Sequence, residues 1–111
     1  MEEESLGKQA KKLERYINTL PHAKQLNKLS SAPREVMIAL TTSIFQARRA
    51  TETYSASDDT EEQLMALEEA IMSYKQVNKS ILLASSYDLI DTVDVAHLSA
   101  LCEQILDRLR G

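Results

Sequence analysis

The chain has 111 residues, 43% hydrophobic and 27% charged, with a formal net charge of −4. That balance suits one folded domain and excludes a disordered chain, while 2 glycines and 2 prolines are too few for the turns of an all-β fold. No apolar run approaches the ~20 residues of a membrane span, "MEEES" lacks the basic start of a signal peptide, and the single Cys102 has no intramolecular partner, so a reducing, cytoplasmic setting is expected.

Charge is unevenly spread along the chain. Residues 1–50 carry nine Lys/Arg against five Asp/Glu, a balance of +4, and residues 51–111 carry four against twelve, a balance of −8. Such halves can attract one another within a fold or between subunits, or the basic half can serve as a binding patch.

The first expected helix spans Leu6–Leu20. At about 100° per residue, Leu6, Leu13, Ile17 and Leu20 share a stripe, with Lys8, Lys11, Lys12 and Arg15 opposite. That basic ridge either solvates the fold or contacts phosphates without reading sequence. The stretch after it, "PHAKQLNKLSSAPREV", could be a loop, a kink or a site. Residues before proline avoid helical geometry, so Pro21 closes the first helix, and Leu26 and Leu29 make a short apolar corner.

A second helix is expected from Ser31, as N-cap, to about Tyr54, with Pro33 near its start and Glu35 at its positive end. Val36, Leu40, Ser43, Ala47 and Tyr54 form its first apolar face; Ile38 and Phe45, seven apart, lie on another side and are candidates for a subunit interface. "SASDDTEEQ" breaks the pattern, and Asp59 with Glu62, or Thr60 with Gln63, fits a capping box. The third helix then places Leu64, Leu67, Ile71, Tyr74, Asn78, Ile81 and Ser85 on one stripe and ends near Ala84. Asn78 in that row reads as a satisfied core amide, a boundary position or a register device. A fourth helix, capped by Asp91 or Thr92, aligns Leu98, Leu101, Cys102, Ile105 and Leu109, with Gly111 just past its end. Short connections between amphipathic helices favour an antiparallel up-down-up-down four-helix bundle, a single all-α domain over 1–111 with residues 1–5 frayed.

Motifs for chemistry are few. The sequence contains no Gly-rich phosphate loop, GxSxG or HExxH. His22 and His97 lack a second ligand at metal spacing and read as surface residues. Glu61–Glu62 and Glu68–Glu69 read as capping and solvated pairs, and Cys102 as an inert core thiol. The expectation is a non-enzymatic protein without metal or cofactor.

Four blocks in order carry a resemblance: "LPHAKQLNKLS", "REVMIALTTSIFQARRA", "LMALEEAIMSYKQVNKSILLAS" and, after a "YDLID" connector, "AHLSALCEQILDRLRG". Over about residues 10–110 the chain resembles the four-helix-bundle family of the accessory variability determinant of diversity-generating retroelements, which also holds proteins encoded in rRNA intervening sequences. The resemblance implies a ring-like pentamer that binds RNA or DNA through basic surfaces and partners a reverse transcriptase. It assigns such contacts to Lys8, Lys11, Lys12, Arg15, Lys24, Lys28, Arg34, Arg48 and Arg49. The rival expectation is an oligomeric protein-interaction scaffold that holds no nucleic acid, with Ile38 and Phe45 at the contact.

Overall fold

A computed structural model describes residues 4–111. All elements are helical: α1 (Leu6–Asn18), a one-turn α2 (Pro21–Lys24), a 3-10 turn (Leu26–Lys28), α3 (Ser31–Ala56), α4 (Thr60–Ser86) and α5 (Thr92–Arg110). Of the start expected to fray, residues 1–3 lie outside the described residues. Ser5, by contrast, caps α1 by accepting from the Lys8 amide at 3.2 Å, and the Glu4 carbonyl accepts from Arg108 at 2.6 Å.

Each boundary has a local cause. Pro21 sits in the first turn of α2, where its missing N–H costs nothing, so it opens a short helix as well as following the end of α1. Arg34 ties down the corner that follows, donating to the Leu26 and Leu29 carbonyls at 3.2 and 2.6 Å. The N-cap of α3 is Ser30, one residue before the expected Ser31, and its side chain makes no capping bond. Consequently Glu35 falls beyond the first turn, where the positive end of the helix no longer acts on it.

Asp59 caps α4 by accepting from the Glu61 amide at 3.0 Å, with Glu61 and Glu62 in the first turn; the bond is the cap alone, not the reciprocal box. At the other end, the Leu89 amide reaches back to the Ala84 carbonyl and the Asp88 amide to that of Ser85. This is a Schellman closure with Asp88 at φ 59°, a left-handed position that a short polar side chain tolerates. Asp91 then caps α5 through the Val93 and Asp94 amides, and Gly111 ends it at φ 86°.

α1 packs against α3 and α5, and α4 packs against α3 and α5, so the four long helices enclose one core within 44 × 30 × 18 Å. The expected stripe of α1 is in that core: Leu13, Ile17 and Leu20 are buried, with Leu6 half-buried beside them. In α5, Leu98, Cys102, Ile105 and Leu109 are buried, joined by Leu106. α3 buries Val36, Leu40, Ser43 and Ala47 as expected, and adds Met37, Ile44, Ala50 and Thr51.

α4 keeps only part of its expected stripe: Tyr74 and Ile81 are buried, and Leu67 and Ile71 pack half-buried against the core. Its buried row is Ala66, Ala70, Tyr74, Val77, Ser80, Ile81 and Ala84, while Leu64 is 60% exposed. Small alanines occupy the inner face here, which lets neighbouring backbones approach, and larger apolar side chains are left outside. Asn78 is correspondingly half-buried at the edge of the core and donates to Glu103 of α5 at 2.7 Å. It is a boundary residue.

One polar pair lies within the core. Tyr74 and Thr51 share a hydrogen bond of 2.7 Å, and the Thr51 hydroxyl also lies 2.8 Å from the Ala47 carbonyl. Since the hydroxyl proton of Thr51 goes to that carbonyl, Tyr74 is the donor to Thr51. The Cys102 thiol donates to the Tyr74 carbonyl at 3.3 Å.

Candidate functional site

The basic residues singled out from the sequence divide by how firmly the fold holds them. Lys8, Lys11, Lys12 and Arg15 are exposed on the outer side of α1, and Lys24 and Lys28 are exposed at the corner. Lys11 reaches Glu52 at 3.9 Å and Lys12 reaches Glu4 at 3.7 Å, both loose surface pairs that contribute little. Among the described residues, Lys8, Arg15, Lys24 and Lys28 make no ion pair.

Arg48 is held differently. Its guanidinium bonds Glu14 of α1 and Glu52 of its own helix, each at 3.0 Å, and the Arg48 and Glu14 side chains are only 19% exposed. Burial alone would lower its pKa, but the bond to Glu14 and the two carboxylate charges raise it on balance, so the cation is fixed. Arg34 is likewise engaged with corner carbonyls. Arg49 is exposed, and its guanidinium carbon lies 5.7 Å from the centroid of the Phe45 ring, with that of Arg48 at 5.1 Å.

Ile38 and Phe45 are 43% and 45% exposed and lie on the side of α3 turned away from its buried row. Next to them runs a surface that the sequence pattern did not single out. Met65 and Met72 of α4, each 66% exposed, line an open groove of about 720 Å³ with Gln46 and Thr53 of α3. Glu62, Glu68 and Glu69 border it, and none of the three makes an ion pair among the described residues. A smaller hollow containing Phe45 and Arg49 adjoins it, sharing Gln46, Thr53 and Glu69. The available signal was the spacing: Glu62 and Glu69, and Met65 and Met72, are both seven apart and share one helical side.

The two histidines sit near the α2 and α5 ends. His97 is exposed with its Nδ1 3.4 Å from the Tyr16 hydroxyl, and His22 is half-buried beside a pocket that also contains Asp88, Asp91 and Asp94. Tyr16 donates to Asp94 at 2.6 Å, and this bond, followed by burial, pushes its phenol up to about 12. Burial likewise pushes the Cys102 thiol up to about 12, far from the thiolate that a nucleophile needs. Among the described residues, no group of three or more His, Cys, Asp or Glu could hold a metal ion, and no helix is long and apolar enough to cross a membrane. No known family model, curated protein or solved structure matches the chain.

Proposed function

We propose that this chain is an antiparallel up-down-up-down four-helix bundle that self-associates and acts by binding, without catalysis. In this reading it is an accessory protein of a retroelement-type system, engaging RNA or DNA and a reverse-transcriptase partner in the cytoplasm. The residue pairs Tyr16–Asp94, Arg108–Glu4 and Lys11–Glu52 support the antiparallel arrangement, since each joins the beginning of one helix to the end of its neighbour or lies where two opposed helices would register.

The observation that carries the nucleic-acid reading is the set of exposed cations on α1 and the adjoining corner that no carboxylate among the described residues neutralises: Lys8, Arg15, Lys24 and Lys28. Phosphate contacts need cations whose charge is not already spent within the fold. Arg48, whose charge is spent on Glu14 and Glu52, and Arg34, whose guanidinium is held by two backbone carbonyls, drop to supporting roles.

Fluorescence polarisation with labelled single-stranded RNA and duplex DNA across a salt series tests this. Charge reversal at Lys8, Lys12 and Arg15 should abolish retention at moderate salt and lower the log–log salt slope by about 2–3. Lys75→Glu, on α4, should leave binding unchanged. Absence of binding by the unaltered protein at low salt removes the mechanism.

The exposure of Ile38 and Phe45 favours a second reading, an oligomeric protein-interaction scaffold without nucleic-acid binding. Here Phe45→Asp converts the oligomer to a monomer in light scattering with helicity unchanged. A monomeric unaltered protein would end this reading in its homo-oligomeric form.

A further inference from the structure

We infer that the groove between α3 and α4 is a docking site for a cationic amphipathic helix of a partner protein. The inference is independent of the nucleic-acid reading, which rests on the cations of α1 and the corner.

The chemistry of the lining selects this occupant. Three carboxylates without ion pairs among the described residues, Glu62, Glu68 and Glu69, border the groove, so a phosphate backbone or an anionic membrane surface is repelled from it. Met65 and Met72 lie between those carboxylates and are 66% exposed, so a purely polar cationic segment would leave them wet. Methionine is unbranched and polarisable, and on a surface it adapts to apolar side chains of differing shape. The occupant must therefore present an apolar stripe flanked by Lys or Arg.

Dimensions favour a helix. The lining of α4 runs from Glu62 to Gln76, 14 residues apart along one helix, or about 21 Å at 1.5 Å per residue. That is longer than a small ligand and matches about four turns of a second helix lying along the groove. Apolar anchors on the occupant at i and i+7 would meet Met65 and Met72, the usual geometry of a helix in a groove between helices. Gln46 and Thr53, also seven apart, supply polar groups on the α3 wall.

The test uses the full chain and two labelled 16-residue Leu/Lys peptides of identical composition. One places its leucines on a single helical stripe, and the other spreads them around the helix. The striped peptide should bind at least about tenfold tighter in fluorescence anisotropy, a difference equal charge cannot produce. The double variant Met65→Gln/Met72→Gln should lose about tenfold in that affinity. Glu62→Gln/Glu68→Gln/Glu69→Gln should weaken it comparably and flatten its salt dependence. Leu82→Gln, an exposed α4 position outside the groove, should change nothing. All these positions are exposed or at the groove edge, and circular dichroism checks that each variant keeps its helicity.

Equal affinity for the two peptides, or unchanged binding by the methionine variant, overturns the inference. So does an unaltered protein that self-associates in light scattering and becomes monomeric in the methionine variant, because the groove is then filled by a second copy.

Discussion

On the flank of α3 that meets α1, Arg48 bonds Glu14 and Glu52, each at 3.0 Å, and Met37, Ile44 and Thr51 of the same helix are fully buried. On the flank that meets α4, Met65 and Met72 stand two-thirds exposed among carboxylates that no cation of the described residues pairs with. The same helix thus has one seam whose charges and apolar groups are mutually satisfied and one whose outer lip is not. The difference teaches where to look for a partner: burial of polar charge inside the chain marks a finished contact, and adjacent unmatched apolar and charged groups mark an unfinished one.

Truncation should separate the two flanks most sharply. Ile44→Ala leaves a cavity in the closed seam and should cost about 2–5 kcal/mol in chemical denaturation. Met72→Ala on the open lip should fall within about 0.5 kcal/mol. Similar costs at the two positions would break the contrast.

The charged contact on the closed flank gives the next largest effect. Arg48→Met strands Glu14 at a partly enclosed position and should cost about 1–2 kcal/mol, less than a fully buried pair would because solvent still reaches it. Glu14→Gln in the same background should restore part of that loss, and a double-mutant cycle reads the coupling directly. A cycle with no coupling would mean that the pair is merely surface decoration.

The smallest effect is on pH. Tyr74, Tyr16 and Cys102 are held protonated to about 12, Tyr74 chiefly by burial, against ordinary values of 10.0 for the phenols and 9.0 for the thiol. The unfolded chain therefore releases these protons at lower pH than the native one does. Their contribution to stability is complete below about pH 9 and is lost progressively as pH rises toward 12. Tyr74→Phe removes one of the three and should flatten that alkaline decline, measured as denaturation midpoint against pH, with little change at pH 7. Thr51 still donates to the Ala47 carbonyl in that variant, so no buried hydroxyl is stranded.

Legibility from the sequence followed the size of the side chains. α1 and α5 could be read directly because their buried positions are mostly large and apolar, as with Leu13 and Ile17 or Leu98 and Ile105, and because Asp91 and Gly111 are strong end signals. α4 was read only in part: Tyr74 and Ile81 of its expected stripe are buried, but hydrophobic periodicity weights Leu64 above Ala66, whereas the packing with α3 selects the smaller residue. The four basic positions on α1 were legible as a ridge, but which of the nine basic candidates along the chain are free was not. That depends on Glu14, 34 residues from Arg48 and brought to it only by the packing of α1 on α3, whereas Glu52 lies one helical turn away on the same helix. The groove escaped notice because the expected stripe of α4 took in neither Met65 nor Met72, and only the packing of α4 on α3 sets them beside Gln46 and Thr53.

Cys102 makes the chain its own chronometer. Its sulfur has no solvent exposure, lies against the Tyr74 carbonyl, and sits where α4 meets α5. A thiol reagent can reach it only when those helices part, so the rate of single-site labelling counts excursions of the packed helices from their closed form. Because the chain has one cysteine, that record needs no engineered probe and carries no second signal to subtract.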